Sequence, residues 1–265
     1  MKKIISSLFI ILLLTGCGLF TKVKKEDITN HEIVPELYGL VETIEPELVI
    51  SLPTKAKTKD FTDWQKISYG VADFMTDFLY GTGEVRFVEG NKIAKDDIDK
   101  RIKKIFGKDT AVQHKQYKET EKYASFHQFK YADNNLYENP LLDAPVIKEM
   151  FMNHEVVYHA DKYQDKIDLY TARFYSLTVE EGPPYDIFYS DYSKKNIIWE
   201  GRKQFKNYNT NEEFDAEYTR VSQVRNEFID DLKQNHNQHN LTKIKYTFTE
   251  ISAGLYYWSA YEVLK

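Results

Sequence analysis

Cysteine is almost absent from this chain of 265 residues, which contains a single one, Cys17. One thiol cannot form an intramolecular disulfide, so the fold must be stabilised by its hydrophobic core. Long apolar runs are also missing. The most apolar stretch, residues 4–14, is interrupted by Ser6 and Ser7, and its length is well below the roughly twenty residues of a membrane-spanning helix. The sequence therefore predicts neither a disulfide framework nor a spanning helix at its N-terminus.

Positive charge is in deficit as well, with 36 basic residues against 41 acidic residues and a net charge of −5. Proteins that bind nucleic acids neutralise phosphates with many lysine and arginine side chains. An acidic chain is repelled by such a polymer, so we expect no nucleic-acid partner.

The short motifs of several enzyme classes are missing too. The sequence contains no Gly-x-x-x-x-Gly-Lys-Ser/Thr, no Gly-x-Ser-x-Gly and no Ser-x-x-Lys. These absences disfavour phosphate-binding loops, the common serine hydrolases and penicillin-interacting enzymes.

One segment approaches a zinc-protease motif without matching it. His154 and His159 flank Glu155 but are five residues apart, whereas the motif needs a separation of four on one helix. The segment is rich in β-branched residues, and an odd separation on a strand predicts two rings on opposite faces. We therefore predict no metal site and no cofactor.

The first seventeen residues carry the most specific pattern in the chain. Lys2 and Lys3 precede the apolar run, and the sequence Leu14-Thr15-Gly16-Cys17 follows it. A basic head, a short apolar stretch and a small-residue cleavage site are typical of a signal peptide that is removed on export.

These last four residues resemble the lipobox of bacterial lipoproteins, in which the cysteine thiol receives a diacylglycerol and signal peptidase II cleaves just before it. The resemblance implies cleavage between Gly16 and Cys17 and a mature protein that is lipidated at Cys17. Two acyl chains hold a protein at a membrane far more firmly than one. We therefore expect a diacylglyceryl anchor at Cys17, on the outer face of the cell membrane.

The chain divides into three parts on this interpretation. Residues 1–16 form the signal peptide. Residues 17–57, which contain Pro35, Pro46 and Pro53, are predicted to be the lipidated cysteine and a membrane-proximal linker. Residues 58–265 are predicted to be a globular extracytoplasmic domain.

Apolar residues at spacings of three and four predict three amphipathic helices in that domain. Two of them begin with capping boxes, Thr62 with Gln65 and Thr210 with Glu213, and one ends at Gly107. The predicted buried stripes run over residues 61–78, 98–106 and 214–232.

Between these helices and after them the apolar period changes to two, which predicts strands. The predicted strands are 111–117, 123–131, 154–158, 167–178, 185–189 and 196–200, with a terminal hairpin formed by 244–249 and 255–263. This order predicts an α+β fold: an antiparallel sheet of hairpin-connected strands, packed on amphipathic helices along one face.

Two stretches of this domain are similar to an uncharacterised family of exported proteins from low-GC Gram-positive bacteria. They are Asp97–Asp109, which precedes the strands, and Lys245–Trp258 near the C-terminus. The resemblance implies no activity.

Aromatic residues are abundant, with 20 tyrosines and 16 phenylalanines, and they crowd two hairpins. Some of them must face the core, but exposed ones could contact a protein, a peptide or a cell-wall ligand. The candidate binding residues are Tyr185, Tyr189, Tyr192, Tyr257 and Trp258.

The absence of every catalytic spacing tested favours a membrane-anchored, non-enzymatic binding domain. One alternative is a cell-wall hydrolase, since two carboxylates can converge in space without any sequence motif. Another alternative is the solute-binding component of a transporter, although the hairpin-rich pattern argues against two lobes of parallel strands.

Overall fold

A computed structural model describes residues 24–43, 46–80, 92–115, 130–132, 136–138, 150–178 and 185–264. The predicted signal peptide, its cleavage site and Cys17 lie outside the described residues. No helix in the described ranges is long and apolar enough to span a membrane.

The described parts of the chain contain eleven strands and five α-helices. The strands are β1 Glu26–Asp27, β2 Lys55–Lys57, β3 Lys92–Ala94, β4 Lys130–Ala132, β5 Leu136–Glu138, β6 Met150–Tyr163, β7 Lys166–Thr178, β8 Ile187–Tyr189, β9 Ile197–Glu200, β10 Thr242–Ser252 and β11 Leu255–Leu264. The helices are α1 Ile33–Gly39, α2 Pro46–Ile50, α3 Asp63–Tyr80, α4 Lys95–Phe106 and α5 Asn211–Asn235.

The main sheet has eight strands in the order β1-β6-β7-β10-β11-β2, with β8 paired to β7 and β9 paired to β8. Within the described residues, all strand pairs of this sheet are antiparallel. A second, three-stranded sheet has the order β3-β5-β4. The predicted α+β class with an antiparallel, hairpin-connected sheet is confirmed.

The predicted helices are present as α3, α4 and α5, and their ends follow the predicted local chemistry. Gln65 N–H donates to Thr62 Oγ1 at 3.2 Å, and Thr62 N–H donates to Gln65 Oε1 at 3.0 Å. At the start of α5, Glu213 N–H donates to Thr210 Oγ1 at 3.2 Å. Each bond satisfies a backbone N–H that a helix terminus otherwise leaves without a partner.

Helices lie on both faces of the main sheet, whereas the sequence predicted helices on one face. The main core contains Leu169 of β7 together with residues of α1, α3 and α4. Ala172 of β7 belongs to a second core with Val221 and Leu232 of α5. Alternation along a strand places residues 169 and 172 on opposite faces. The sequence shows that α5 is amphipathic but not which face of the sheet it covers.

Residues 26–57, predicted to be part of a linker, are instead part of the folded body. β1 pairs with β6 at one edge of the main sheet, and β2 pairs with β11 at the other. Between them, Val34, Leu37 and Val41 are buried in the main core. The elements of this segment have only two to seven residues, which is too short for a clear apolar period. The strand order therefore ends in a short strand on each side, and short edge strands leave few unpaired backbone groups for another chain to join.

Several predicted strands differ in extent from those observed. Residues 111–115 are irregular rather than extended. The predicted strand 154–158 is the middle of the much longer β6. The terminal hairpin is confirmed and turns at Gly254, whose φ of +81° glycine adopts without strain.

A β-bulge in β6 overturns the expected placement of the two histidines. His154 pairs with Phe174 and His159 pairs with Tyr170, so both lie on the same face of the sheet. They are engaged separately: His154 hydrogen-bonds Ser176 at 2.7 Å, and His159 hydrogen-bonds Asp161 at 3.1 Å. Burial, with a smaller contribution from Arg225, lowers the pKa of His154 to about 4.

A buried ion pair lies under α1, on the main-core face of the sheet. Arg173 of β7 donates from Nε and Nη2 to Glu155 Oε1 at 2.9 and 2.7 Å, and Tyr246 donates to the same oxygen at 2.9 Å. The two charged side chains are 4% and 3% exposed. Burial raises the pKa of Tyr246 well above its usual value, so this hydroxyl keeps the proton that it donates.

Candidate functional site

Three of the five aromatic residues predicted to bind a ligand lie around β8 and β9, and packing uses most of their surface. Tyr189 is buried, and Tyr185 stacks on Phe205 with ring centroids 4.7 Å apart. Tyr192 is more accessible, at 39% exposure, and meets Phe151 edge-on at 5.7 Å.

The other two predicted residues, Tyr257 and Trp258, are neighbours on β11 and have opposite surroundings. Trp258 is fully buried in the main core, where it contacts Phe61 and Tyr69 at 5.1 and 5.0 Å between ring centroids. Its prediction as a ligand-binding residue is therefore wrong. Tyr257 is half-buried and lies beside Gly107.

Tyr257 lines a surface cleft that has two adjoining lobes, of about 360 and 420 Å³. Both lobes are bordered by the side chains of Lys59, Lys66, Phe106, Thr110 and Tyr257. We call this feature the lysine cleft, after the five lysines that line it: Lys57, Lys59, Lys66, Lys108 and Lys166.

Elements from distant parts of the sequence form the lysine cleft. One wall comes from the helical turn at residues 58–60 and the first turn of α3, and another from the residues that follow α4. Gly107 ends α4 with a φ of +98°, a conformation that only glycine adopts readily. The outward-facing residues of β10 and β11 complete the first lobe.

Lys66 is the most unusual residue of the cleft because a lysine is rarely so little exposed. The residue is only 8% exposed, and its ammonium donates to the carbonyl oxygen of Lys59 at 3.2 Å. Among the residues that the structure describes, no carboxylate forms an ion pair with it. Lysines that are largely buried in proteins are normally paired with a negative charge. An anion in the cleft would supply the missing negative charge.

The other four lysines of the cleft also have no ion-pair partner within the described ranges. Lys57, Lys59 and Lys108 are exposed, and Lys166 is half-buried. Asp109 is the one carboxylate among the lining residues. The cleft is therefore a local concentration of positive charge on a chain whose net charge is −5, and such a concentration attracts anions.

Of the residues that line the lysine cleft, Tyr257 was predicted from the sequence to bind a ligand, but none of the five lysines was. The lysines come from four separate segments, so no spacing relates them. One signal was nevertheless present: Lys66 is the only basic residue of α3. A single lysine in a largely apolar helix is unusual, because lysine is rarely buried.

The other polar clusters of the described residues hold parts of the fold together. His114 bridges Asp99, at 2.7 Å, and the hydroxyl of Tyr137, but Tyr137 is only 1% exposed and presents no reactive atom to solvent. Arg101 pairs with Asp73 and Asp77 to join α3 to α4. In the described part of the chain, no group of three or more metal-ligating side chains converges.

Comparison with known proteins adds no assignment, because no family model, no curated protein and no solved structure matches the chain.

Proposed function

We propose that this protein is a lipid-anchored extracytoplasmic binding domain and that its lysine cleft holds an anionic ligand. The observation that carries the proposal is Lys66, a lysine that is only 8% exposed and whose ammonium has no carboxylate partner among the described residues. Four further lysines around the same cleft supply additional attraction. Lysine binds phosphate and similar anions as a compact point charge.

The anchor is the second component of the proposal, and it depends on the sequence Leu14-Thr15-Gly16-Cys17. A diacylglyceryl group on Cys17 would place the folded body at the outer surface of the cell membrane. The folded body begins close to this point, since β1 starts at residue 26. The binding domain would then lie near the membrane surface rather than at the end of a long tether.

Lys66→Met tests the binding proposal with inorganic phosphate as the probe. Hydrogen bonds to charged groups contribute about 1.5–3 kcal/mol, so we expect the variant to bind phosphate at least about tenfold more weakly. Without phosphate, its free energy of unfolding should stay within about 1.5 kcal/mol of the wild-type value, because methionine keeps the packing of the apolar lysine stem. Isothermal titration calorimetry and urea unfolding, both at constant ionic strength, measure the two quantities.

Lys103→Met is the matched control, because Lys103 is an exposed lysine of α4 that does not line the cleft. It should bind phosphate as the wild type does. Equal phosphate affinity in Lys66→Met and Lys103→Met would contradict the proposal. A large loss of stability in Lys66→Met would instead assign its ammonium to holding the Lys59 carbonyl.

A hydrolase function receives less support from the geometry of this cleft. Glycoside cleavage uses two carboxyl groups placed on either side of the scissile bond. Asp109 is the one carboxylate among the lining residues. Its surroundings favour holding an anion over transferring protons between two acids.

A further inference from the structure

The hydroxyl groups of the lysine cleft carry information about the ligand beyond its charge. Five serine and threonine residues line the first lobe, and one of them, Thr110, also lines the second lobe: Thr58, Thr110, Thr247, Thr249 and Ser259. A hydroxyl group has one hydrogen to donate and two lone pairs that can accept. Whether a hydroxyl can donate to a ligand depends on where its hydrogen already points.

All five hydrogens are directed to acceptors of the protein itself. Thr58 donates to the carbonyl of Trp258 at 2.7 Å, and Thr110 donates to the carbonyl of Phe106 at 2.9 Å. Thr247 donates to the carboxylate of Asp168 at 2.7 Å.

The remaining two hydroxyls form a chain whose direction is fixed by its last acceptor. Ser259 Oγ donates to the carbonyl oxygen of Thr247 at 2.9 Å, and a carbonyl oxygen can only accept. The contact between Thr249 and Ser259, at 2.8 Å, is therefore donated by Thr249. Toward the cleft, these hydroxyl groups offer lone pairs and no hydrogens.

The cleft therefore presents two complementary kinds of group. Its lysine ammonium groups donate hydrogen bonds and carry positive charge, which suits phosphate oxygens. Its hydroxyl oxygens accept hydrogen bonds, so an anionic oxygen placed against them would be repelled rather than bound. A ligand that satisfies both sets needs a phosphate group and, beside it, hydroxyl groups that donate.

We infer that the ligand of the lysine cleft is a polyol phosphate, meaning a phosphate ester of a compound that carries several hydroxyl groups. This inference rests on the proposed function and adds the chemical class of the ligand. The phosphate lies against Lys66 and the surrounding lysines, and the polyol hydroxyls donate to Thr249 and Ser259. A phosphate monoester carries about 1.5–2 negative charges at neutral pH, opposite in sign to the excess of lysines over carboxylates in the cleft.

Glycerol 1-phosphate and n-propyl phosphate form a matched pair of probes for this inference. They share a three-carbon skeleton and a phosphate monoester, and they differ by two hydroxyl groups. We expect the full-length chain to bind glycerol 1-phosphate about fivefold or more tightly than n-propyl phosphate, as expected for one or two neutral hydrogen bonds. Isothermal titration calorimetry at constant ionic strength measures both affinities.

Thr249→Val should remove most of this preference and leave the affinity for n-propyl phosphate unchanged, because the lysines stay in place. Retained n-propyl phosphate binding also shows that the variant is folded. Thr219→Val is the control, since Thr219 lies on α5 and its hydroxyl donates to the carbonyl of Asp215. It should keep the full preference for glycerol 1-phosphate.

The possible outcomes separate this inference from the proposed function. Equal binding of the two esters, with Lys66→Met weakening both, would overturn the polyol phosphate and leave the anion site intact. No binding of either ester or of inorganic phosphate would overturn both.

Phosphatidylglycerol vesicles present a glycerol phosphate as a lipid headgroup, in the form of a phosphodiester, with phosphatidylcholine vesicles as the control. The quantity to compare is the fold-loss of affinity caused by Lys66→Met. A greater loss for phosphatidylglycerol vesicles, measured by sedimentation, than for glycerol 1-phosphate would identify the lipid headgroup as the source. A greater loss for glycerol 1-phosphate would identify a water-soluble polyol phosphate. Since the lipid anchor is common to both proteins, it cancels in this comparison.

Discussion

Replacing Arg173 by methionine should lower the free energy of unfolding by about 3–5 kcal/mol, the usual consequence of removing one partner from a buried ion pair. Methionine preserves most of the side-chain volume but leaves the carboxylate of Glu155 buried beside an apolar group. That carboxylate is only 3% exposed, so water cannot replace the lost guanidinium. Urea unfolding followed by circular dichroism measures the change.

The double variant Glu155→Gln with Arg173→Met should recover part of this loss. The glutamine is neutral, yet its oxygen can still accept from Tyr246, which lies 2.9 Å from the present carboxylate. Lys100→Met is the control, because Lys100 pairs with Asp97 at the surface and is 77% exposed. An exposed pair contributes at most about 1 kcal/mol. If Arg173→Met were no more destabilising than Lys100→Met, the role assigned to the buried pair would be wrong.

The proposed anchor predicts that replacing Cys17 by serine abolishes a processed, membrane-bound form of the protein. Serine has no thiol to receive a diacylglyceryl group, and each methylene buried by such chains would contribute about 0.8 kcal/mol of membrane affinity. The protein should then be found either uncleaved or shed into the medium. Fractionation of cells followed by mass spectrometry of the N-terminus distinguishes these forms.

Gly18→Ser is a suitable control for that experiment, because it changes the neighbouring residue and keeps the thiol. It should remain processed and membrane-bound. A Cys17→Ser protein that is cleaved at the same position and still fractionates with membranes would contradict the lipid anchor.

Helices α3, α4 and α5 were predictable because the signals that form them are local. Thr62 and Gln65 cap one helix within four residues of sequence, and Gly107 ends another at the position where a positive φ is required. The same holds for the terminal hairpin, whose two strands are joined by a turn at Gly254. Patterns of this kind need no knowledge of what packs against them.

The role of residues 26–57 was not predictable, because its short elements are stabilised by distant partners. β1 is held by β6, whose paired residues begin more than 130 positions later, and β2 is held by β11. The bulge in β6 is a similar case. Nothing in the sequence from His154 to His159 shows that an extra residue shifts the second ring to the other face.

The lysine cleft depends entirely on such long-range placement. Lys57 and Lys108 are ordinary surface-type residues in the sequence, and only the fold brings them together with Lys66 and Lys166. Tyr257 was predictable because it belongs to a cluster of aromatic residues in the sequence. The burial of Lys66 and the hydrogen-bond directions of Thr249 and Ser259 follow only from the three-dimensional arrangement.

A crystal structure of the protein grown with glycerol 1-phosphate tests the central claim most directly. The claim predicts a phosphate group in the lysine cleft with an oxygen within about 3.2 Å of Lys66 Nζ. The claim would be contradicted by a cleft that holds only water at saturating ligand, or by a Lys66 ammonium that is paired with a carboxylate of the protein.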